Sequence, residues 1–480
     1  SKREMTILLI LPLLLSNFVE KWYLPQGVSG FGNTIVQIAD MDRDEHMEFA
    51  FTTYGSWPPY IYVYELQLPG TWHVDSIPLV GGDLLWDSGD FDNDGLYDLA
   101  LQFHVETPSW AEGIMIFESP DSSSYPTQEV WRDTVGPPLV LPISVYDIDQ
   151  DNLPEIVKNR ATPFGDIGIY ESVGDNNYEL IFVDNPDTLG LEAPAATHAF
   201  GDFDGDDCVE CVFAGGNEWY WVYESPANNT YEKVDEGQLS MGNIRDCFTV
   251  PDADGDGKLE FVVKGYVIPS AEIHAFIFEA TGDNTYEIIK TFTLWGGDYY
   301  GGYSDVGDVD GDSIPEIALE GRQTVHIIKA AGNDSFYVWE TLPGNASGSS
   351  VRVYDVDGNG LSEVIISGNN ETKIYEYQVG IEEDTGANIS LGTLEITPNP
   401  FTHQVEIRYS ILGTEYQLQN PVVKIYDVSG RVVKSFHHGS SVTWHGDDDS
   451  GNQVPLGVYF IRFEHPALQQ VSCEKIIKMR

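Results

Sequence analysis

Seven short segments of this 480-residue chain carry carboxylates at spacings that suit a hard cation. They read DMDRDEHME from Asp40, DFDNDGLYD from Asp90, DIDQDNLPE from Asp147, DFDGDDCVE from Asp202, DADGDGKLE from Asp252, DVDGDSIPE from Asp308 and DVDGNGLSE from Asp355. Positions 1, 3, 5 and 9 of each hold an oxygen donor. The candidate ligand sets are Asp40, Asp42, Asp44 and Glu48; Asp90, Asp92, Asp94 and Asp98; Asp147, Asp149, Asp151 and Glu155; Asp202, Asp204, Asp206 and Glu210; Asp252, Asp254, Asp256 and Glu260; Asp308, Asp310, Asp312 and Glu316; and Asp355, Asp357, Asn359 and Glu363. Calcium takes roughly six to eight oxygens at about 2.3–2.6 Å. A tight turn across positions 1 to 5 brings three donors together, and a carbonyl near position 7 with the acid at 9 completes the cage. About seven calcium sites are the expectation. A small residue at position 6 eases the turn. Gly95, Gly257 and Gly360 meet that need; Glu45, Asn152, Asp207 and Ser313 do not, and weaker binding is expected in those four loops.

The elements that position these loops repeat with them. Successive loops start 50, 57, 55, 50, 56 and 47 residues apart. A short apolar strand follows each position 9 (FAF, LAL, IVK, CVF, FVV, IAL, VII), and a second follows that (IYVYE, IMIFE, IGIYE, YWVYE, AFIFE, VHIIK, KIYEY). Most repeats add a polar turn and a third strand, as in NNYELIFV and NTYEIIKTF, and a strand precedes each loop. Four short strands per repeat of this length match a propeller blade. No segment sustains a helical period. An EF-hand is a poor match: it sits between helices and needs an acid at position 12, where Leu101 and Leu319 stand here. The last repeat stops at residues 373–378 without an outer strand. Residues 18–25, FVEKWYLP, are expected to supply it and latch the ring.

These loops resemble the FG-GAP or VCBS repeats of integrin-like propellers over about residues 30–378. The resemblance implies that each loop joins the first two strands of a blade and holds calcium on one face of the ring. That family is functionally mixed, so fold alone does not name a ligand.

Charge and cysteine content bound the partners. Asp and Glu number 77 against 24 Lys and Arg, a net charge of −53, and the loop positions alone hold 27 of the acids. Such a chain repels nucleic acid and anionic membrane surfaces. Four cysteines make no disulfide framework. Cys211, of the Cys208-x-x-Cys211 pair, stands where other repeats carry Phe, Leu, Ile or Val, and reads as a buried small hydrophobe. Lys2 and Arg3 followed by the apolar run 6–15 read as an export signal over residues 1–16, too short to span a bilayer. No other segment reaches a membrane-spanning length.

Residues 17–378 are read as the propeller, 379–392 as a linker, and 393–480 as a small Ig-like β-sandwich. The sequence thus predicts an all-β protein. The last segment resembles the C-terminal sorting domains of the type IX (Por) secretion system through TPNPF (397–401), YDVSGR (426–431), WHGDDDSGNQVPLGVYF (444–460) and KIIKMR (475–480). That resemblance implies outer-membrane secretion machinery as a partner and delivery to the surface of a Gram-negative-type bacterium. GDDDSG (446–451) lacks the loop spacing and reads as a hairpin turn.

The chain carries no G-x-S-x-G, no H-E-x-x-H and no phosphate loop, so no catalytic residue is singled out. The loops opposite the carboxylates instead carry aromatics: Trp57, Tyr60, Trp110, Phe164, Trp219, Trp295, Tyr299 and Tyr300, with Tyr303 nearby. Exposed aromatics suit the apolar faces of sugars or anchor protein contacts; the same side chains would equally serve to pack between blades. The leading reading is a surface binding or adhesion module for glycans or surface proteins. A polysaccharide-degrading enzyme or its accessory subunit, and a structural scaffold, remain open.

Overall fold

The computed structural model describes residues 18–25, 36–52, 60–67, 71–79, 82–105, 111–134, 142–160, 166–185, 196–215, 218–241, 243–267, 272–295, 302–321, 323–344, 349–368, 371–378, 392–397, 399–411, 422–427, 432–437, 441–449, 451–465 and 468–479. The export signal and almost all of the linker lie outside these. The chain divides after Tyr377 into two compact units. Among the described residues every regular element is a strand, and no helix is long and apolar enough to cross a membrane.

The first unit consists of seven four-stranded antiparallel sheets among the described residues. The first sheet runs Gln37–Ala39, Glu48–Thr52, Tyr60–Gln67 and Thr71–Pro78, and the second Gly82–Gly89, Asp98–Val105, Ala111–Glu118 and Gln128–Thr134. The third to sixth follow the same order from Ile143, Ala199, Asn243 and Asp305. Each Asp loop joins the first strand of its sheet to the second. The second strands explain the apolar triplets: Glu48–Thr52, Val209–Gly215, Glu316–Gly321 and Glu363–Gly368 are buried at every position. Both faces of these strands are covered by other sheets, so their side chains do not alternate in polarity.

The cover on each face is the neighbouring sheet. One apolar cluster joins each successive pair, from Met41, Leu85 and Leu101 between the first and second sheets to Val309, Val351 and Phe18 between the sixth and seventh. A further cluster (Leu24, Val36, Phe49, Tyr64, Val356, Ile365) joins the seventh sheet to the first. Polar contacts join some of the same pairs of sheets. The N–H of Val145 donates to Asp87 (2.7 Å), Ser304 to Asp246 (2.8 Å), Val353 to Asp305 (2.9 Å) and Val36 to the Ser350 hydroxyl (3.2 Å). Trp86 of the second sheet meets Tyr303, which precedes the sixth, with ring centroids 5.6 Å apart. Tyr303 is therefore buried, which corrects its expected place among exposed aromatics.

The seventh sheet is built from both ends of the unit. Ser349–Tyr354, Glu363–Gly368 and Glu371–Tyr377 are completed by Phe18–Leu24, which runs antiparallel to the last of them with Phe18 opposite Tyr377 and Leu24 opposite Thr372. The expected latch between residues 18–25 and 373–378 is present.

His198, buried between the third and fourth sheets, is held neutral. Its Nδ1 lies 2.9 Å from the Ser144 hydroxyl and its Nε2 3.4 Å from Asn159 Oδ1, and burial lowers its pKa to about 3. A base with a depressed folded-state pKa contributes stability above its ordinary value of 6.5 and loses it as pH falls toward 3. Between pH 7 and 5 the wild type should therefore lose more melting temperature than His198→Gln. A constant difference between the two proteins across that range would refute this.

The second unit has its own core. One sheet is Gly392–Thr397, Val405–Ile411 and Ser441–Trp444; the other is Val432–His437, Val422–Asp427, Gly457–His465 and Leu468–Lys478. Val405, Ile407 and Trp444 of the first pack with Val423, Ile425, Ile461 and Ile476 of the second. Lys434 pairs with Asp447 at 2.7 Å, and the Gly451 N–H donates to the Asp448 carbonyl at 3.0 Å. Both fit residues 446–451 as a turn.

Candidate cation-binding loops

The seven Asp loops share one backbone. Position 6 adopts positive φ in all of them: Glu45 (73°), Gly95 (89°), Asn152 (73°), Asp207 (73°), Gly257 (96°), Ser313 (69°) and Gly360 (90°). The four loops without glycine there thus keep the turn, with the strain of a left-handed side-chain residue. Position 4 does the same, through Arg43, Asn93, Gln150, Gly205, Gly255, Gly311 and Gly358; five of these are Gly or Asn, the types that most readily take that backbone.

Two side-chain oxygen anchors recur in every copy. The side-chain oxygen of position 5 accepts the N–H of position 7, as Asp44 does from His46 (2.9 Å), Asp206 from Cys208 (2.8 Å) and Asn359 from Leu361 (2.8 Å). One oxygen of position 9 accepts the N–H of position 2: Glu48 from Met41 (2.6 Å), Asp98 from Phe91 (2.8 Å), Glu155 from Ile148 (2.6 Å), Glu210 from Phe203 (2.7 Å), Glu260 from Ala253 (3.1 Å), Glu316 from Val309 (3.0 Å) and Glu363 from Val356 (2.8 Å). The position 2 side chains are buried apolar plugs, which ties each loop to the core beneath it.

The other oxygen of position 9 separates the loops into two groups. In the first five it is buried and accepts no hydrogen bond: Glu48 Oε1, Asp98 Oδ1, Glu155 Oε1, Glu210 Oε1 and Glu260 Oε1. Oxygens of Asp42, Asp90, Asp147, Asp204, Asp252 and Asp254 share that condition. Donor oxygens of Asp40, Asp42, Asp44 and Glu48 lie within 4.8 Å of one another, as do those of the fourth and fifth loops. Burial, with repulsion from the loop carboxylates added, pushes Glu48, Asp98, Glu155, Glu210 and Glu260 up to about 8. Unpaired oxygens at this density are costly to bury without a positive charge among them. All-oxygen donor sets of this kind fit a hard divalent cation.

Two further contributors escaped the sequence reading. Glu65, Glu118, Glu171, Glu224 and Glu279 stand directly opposite position 9 on the third strand, which adds a fifth carboxylate to each of these loops. The signal was the terminal acid of IYVYE, IMIFE, IGIYE, YWVYE and AFIFE. The next sheet also reaches over the loop. The N–H groups of Asn176, Asn229, Asn284 and Asp334 donate to Asp92, Asp149, Asp204 and Asp254, each at 2.6 Å. Burial and the preceding sheet's carboxylates raise the pKa of the Tyr125, Tyr178, Tyr231 and Tyr286 phenols.

In the sixth and seventh loops an ammonium stands among the carboxylates. Lys329 Nζ lies 2.6 Å from Asp310, 2.8 Å from Asp312 and 2.7 Å from Glu316 Oε1. Lys21 Nζ lies 2.7 Å from Asp357, 3.1 Å from Glu363 Oε1 and 2.6 Å from Glu376. Glu316 and Glu363 rise only to about 7, since burial is opposed there by the lysines.

The aromatic candidates are less well placed. Trp57, Trp110, Phe164, Tyr299 and Tyr300, and the side chain of Trp295, lie outside the described residues. Trp219 is half-buried and packs on the cluster between the third and fourth sheets. Tyr60 is half-buried beside Tyr62, with centroids 6.1 Å apart. Cys211 is buried in the same cluster as Trp219.

Residues 395–479 match the family of secretion system C-terminal sorting domains. No curated protein matches the chain. Among solved structures, PorZ, described as an essential bacterial surface component of the type IX secretion system of Porphyromonas gingivalis, is similar with a TM-score of 0.30 and 11% identity, over 88% of this chain and 69% of that one. The sorting domain addresses the protein to secretion and the surface of a Gram-negative-type bacterium, and makes the type IX machinery a partner of the chain.

Proposed function

We propose that the first unit is a seven-bladed, calcium-binding propeller of the FG-GAP/VCBS type that works at the cell surface as a binding or adhesion module for glycans or surface proteins. The observation that carries the calcium reading is the buried position 9 oxygen left without a hydrogen bond in five loops of one geometry. The apolar cluster joining the seventh sheet to the first supports ring closure. When bound, calcium would supply the positive charge that those oxygens lack. Asp40, Asp42, Asp44, Glu48 and Glu65 would hold it in the first loop, their equivalents in the next three, and Asp252, Asp254, Asp256 and Glu260 in the fifth, where Lys258 pairs with Glu279.

The Asp loops are strongly negative and committed to cations, so a ligand is expected on the opposite edges of the sheets, where loops on a rigid scaffold commonly carry function. A neutral glycan suits a chain of −53 better than an anionic one. A polysaccharide array probed with the calcium-loaded full chain tests this: retention of neutral glycans is expected. Release of new reducing ends would make the protein an enzyme, and absence of any binding would leave a scaffold. Deleting residues 393–480 should leave calcium binding intact and abolish surface delivery, because the second unit has a core of its own. Failure of the truncated chain to fold would refute that division.

A further inference from the structure

The seven loops agree in backbone, in the position 5 anchor and in the position 9 anchor, yet differ in where their positive charge comes from. The oxygens without partners fall in the first five loops, and none falls in the last two among the described residues. Lys329 and Lys21 contact the same Oε1 atoms of Glu316 and Glu363 whose counterparts are unpaired elsewhere. Lys329 also takes the place on the third strand where the first five sheets carry Glu: Ile317 pairs with Ile328, so Lys329 is opposite Glu316. Lys21 arrives from the latch strand, 336 residues from Asp357.

Topology gives a reason for the change at the sixth loop. In the second to fifth loops, position 3 accepts an N–H from the turn between the third and fourth strands of the next sheet. The seventh sheet has no such turn, because its fourth strand, Phe18–Leu24, comes from the other end of the unit. Asp310 therefore has no turn N–H to accept, and Lys329 Nζ meets its Oδ2 instead. At the seventh loop Lys21 Nζ meets Asp357 Oδ2 in the same way.

We infer that the sixth and seventh loops take no metal ion, that Lys329 and Lys21 are their built-in cations, and that calcium dependence is confined to the first five sheets while the latch is held by an internal ammonium. This rests on the calcium reading of the other five loops. It replaces the expected seven or so sites by five, and makes the response to calcium uneven among the sheets.

Equilibrium dialysis of the full chain with calcium is expected to give five ions per chain. Lys329→Glu, which places on that strand the acid of the first five sheets, should give six. Lys329→Met, which removes the ammonium without adding charge, guards against a misfolded Glu variant and should also gain a site. On the wild type, hydrogen exchange with and without chelator should show lost protection in residues 40–48, 90–98, 147–155, 202–210 and 252–260, with 308–316 and 355–363 unchanged. Seven ions bound by the wild type, no gain in either variant, or uniform loss of protection would overturn this inference and leave the calcium reading standing. No calcium bound at all would overturn both.

Discussion

Excess chelator is expected to lower the melting temperature of the first unit by on the order of 10 °C, and added calcium to restore it. A ligand that binds only the folded state stabilises it by mass action, by about 1.4 kcal/mol per site when its concentration is ten-fold above the dissociation constant. Five independent sites would then contribute about 7 kcal/mol, comparable to the roughly 5–15 kcal/mol that separates most folded domains from their unfolded chains. The carboxylates magnify the effect. Without a cation, Glu48, Asp98, Glu155, Glu210 and Glu260 sit buried among like charges, each with an oxygen that accepts no hydrogen bond. Magnesium should rescue poorly, since it keeps its waters and demands octahedral geometry, whereas crowded carboxylates suit calcium. The check is a thermal melt in calcium, in chelator, and in chelator followed by excess calcium or magnesium. An unchanged melting temperature in chelator would remove the calcium reading altogether.

What the sequence disclosed of this arrangement follows from the range over which each interaction acts. The period was plain because its markers lie within nine residues of one another, and four strands around each loop could be read from the apolar triplets. The latch was readable because Glu371–Tyr377 had no outer partner and residues 18–24 had no sheet. The fifth carboxylate was in view at the end of each third strand, yet Glu65 becomes part of the first loop only once the register sets it opposite Glu48. Lys329 stands in the same slot at the end of VHIIK, and its role depends on the same register. Lys21 could not be found by spacing, since no local pattern links it to Asp357 and Glu363. Position 4 was masked only in the first and third loops, where Arg43 and Gln150 are not turn formers yet take the same left-handed backbone as the Gly and Asn of the other copies. Tyr303 looked exposed because it follows a glycine-rich loop, but the approach of the second sheet's Trp86 buries it.

Removing residues 1–24 is expected to prevent the first unit from folding as a soluble monomer. The strand it deletes contributes to both flanking interfaces. Phe18 is buried between the sixth and seventh sheets against Trp339 and Tyr377, at 5.8 and 5.4 Å between centroids. Leu24 is buried between the seventh and first, and Trp22 meets Trp72 at 5.9 Å. Truncating a buried Leu or Phe to Ala costs about 2–5 kcal/mol, so Phe18→Ala and Leu24→Ala should each lower the melting temperature clearly, and losing both with the whole ladder approaches the total stability of a domain. Deletion also bares Glu371–Tyr377 as an open edge, which invites pairing with other chains, and withdraws the Lys21 ammonium from Asp357, Glu363 and Glu376. Because the missing element is one strand, a synthetic peptide spanning residues 18–24 should restore it in trans by adding to that edge. The rescue should weaken when the peptide carries Lys21→Glu, which sets a fourth acid among three. Size-exclusion chromatography and thermal melts of the truncated chain, with and without each peptide, decide the matter. A truncated chain that stays monomeric and melts with the full-length protein would show that the terminal strand is not what closes the unit.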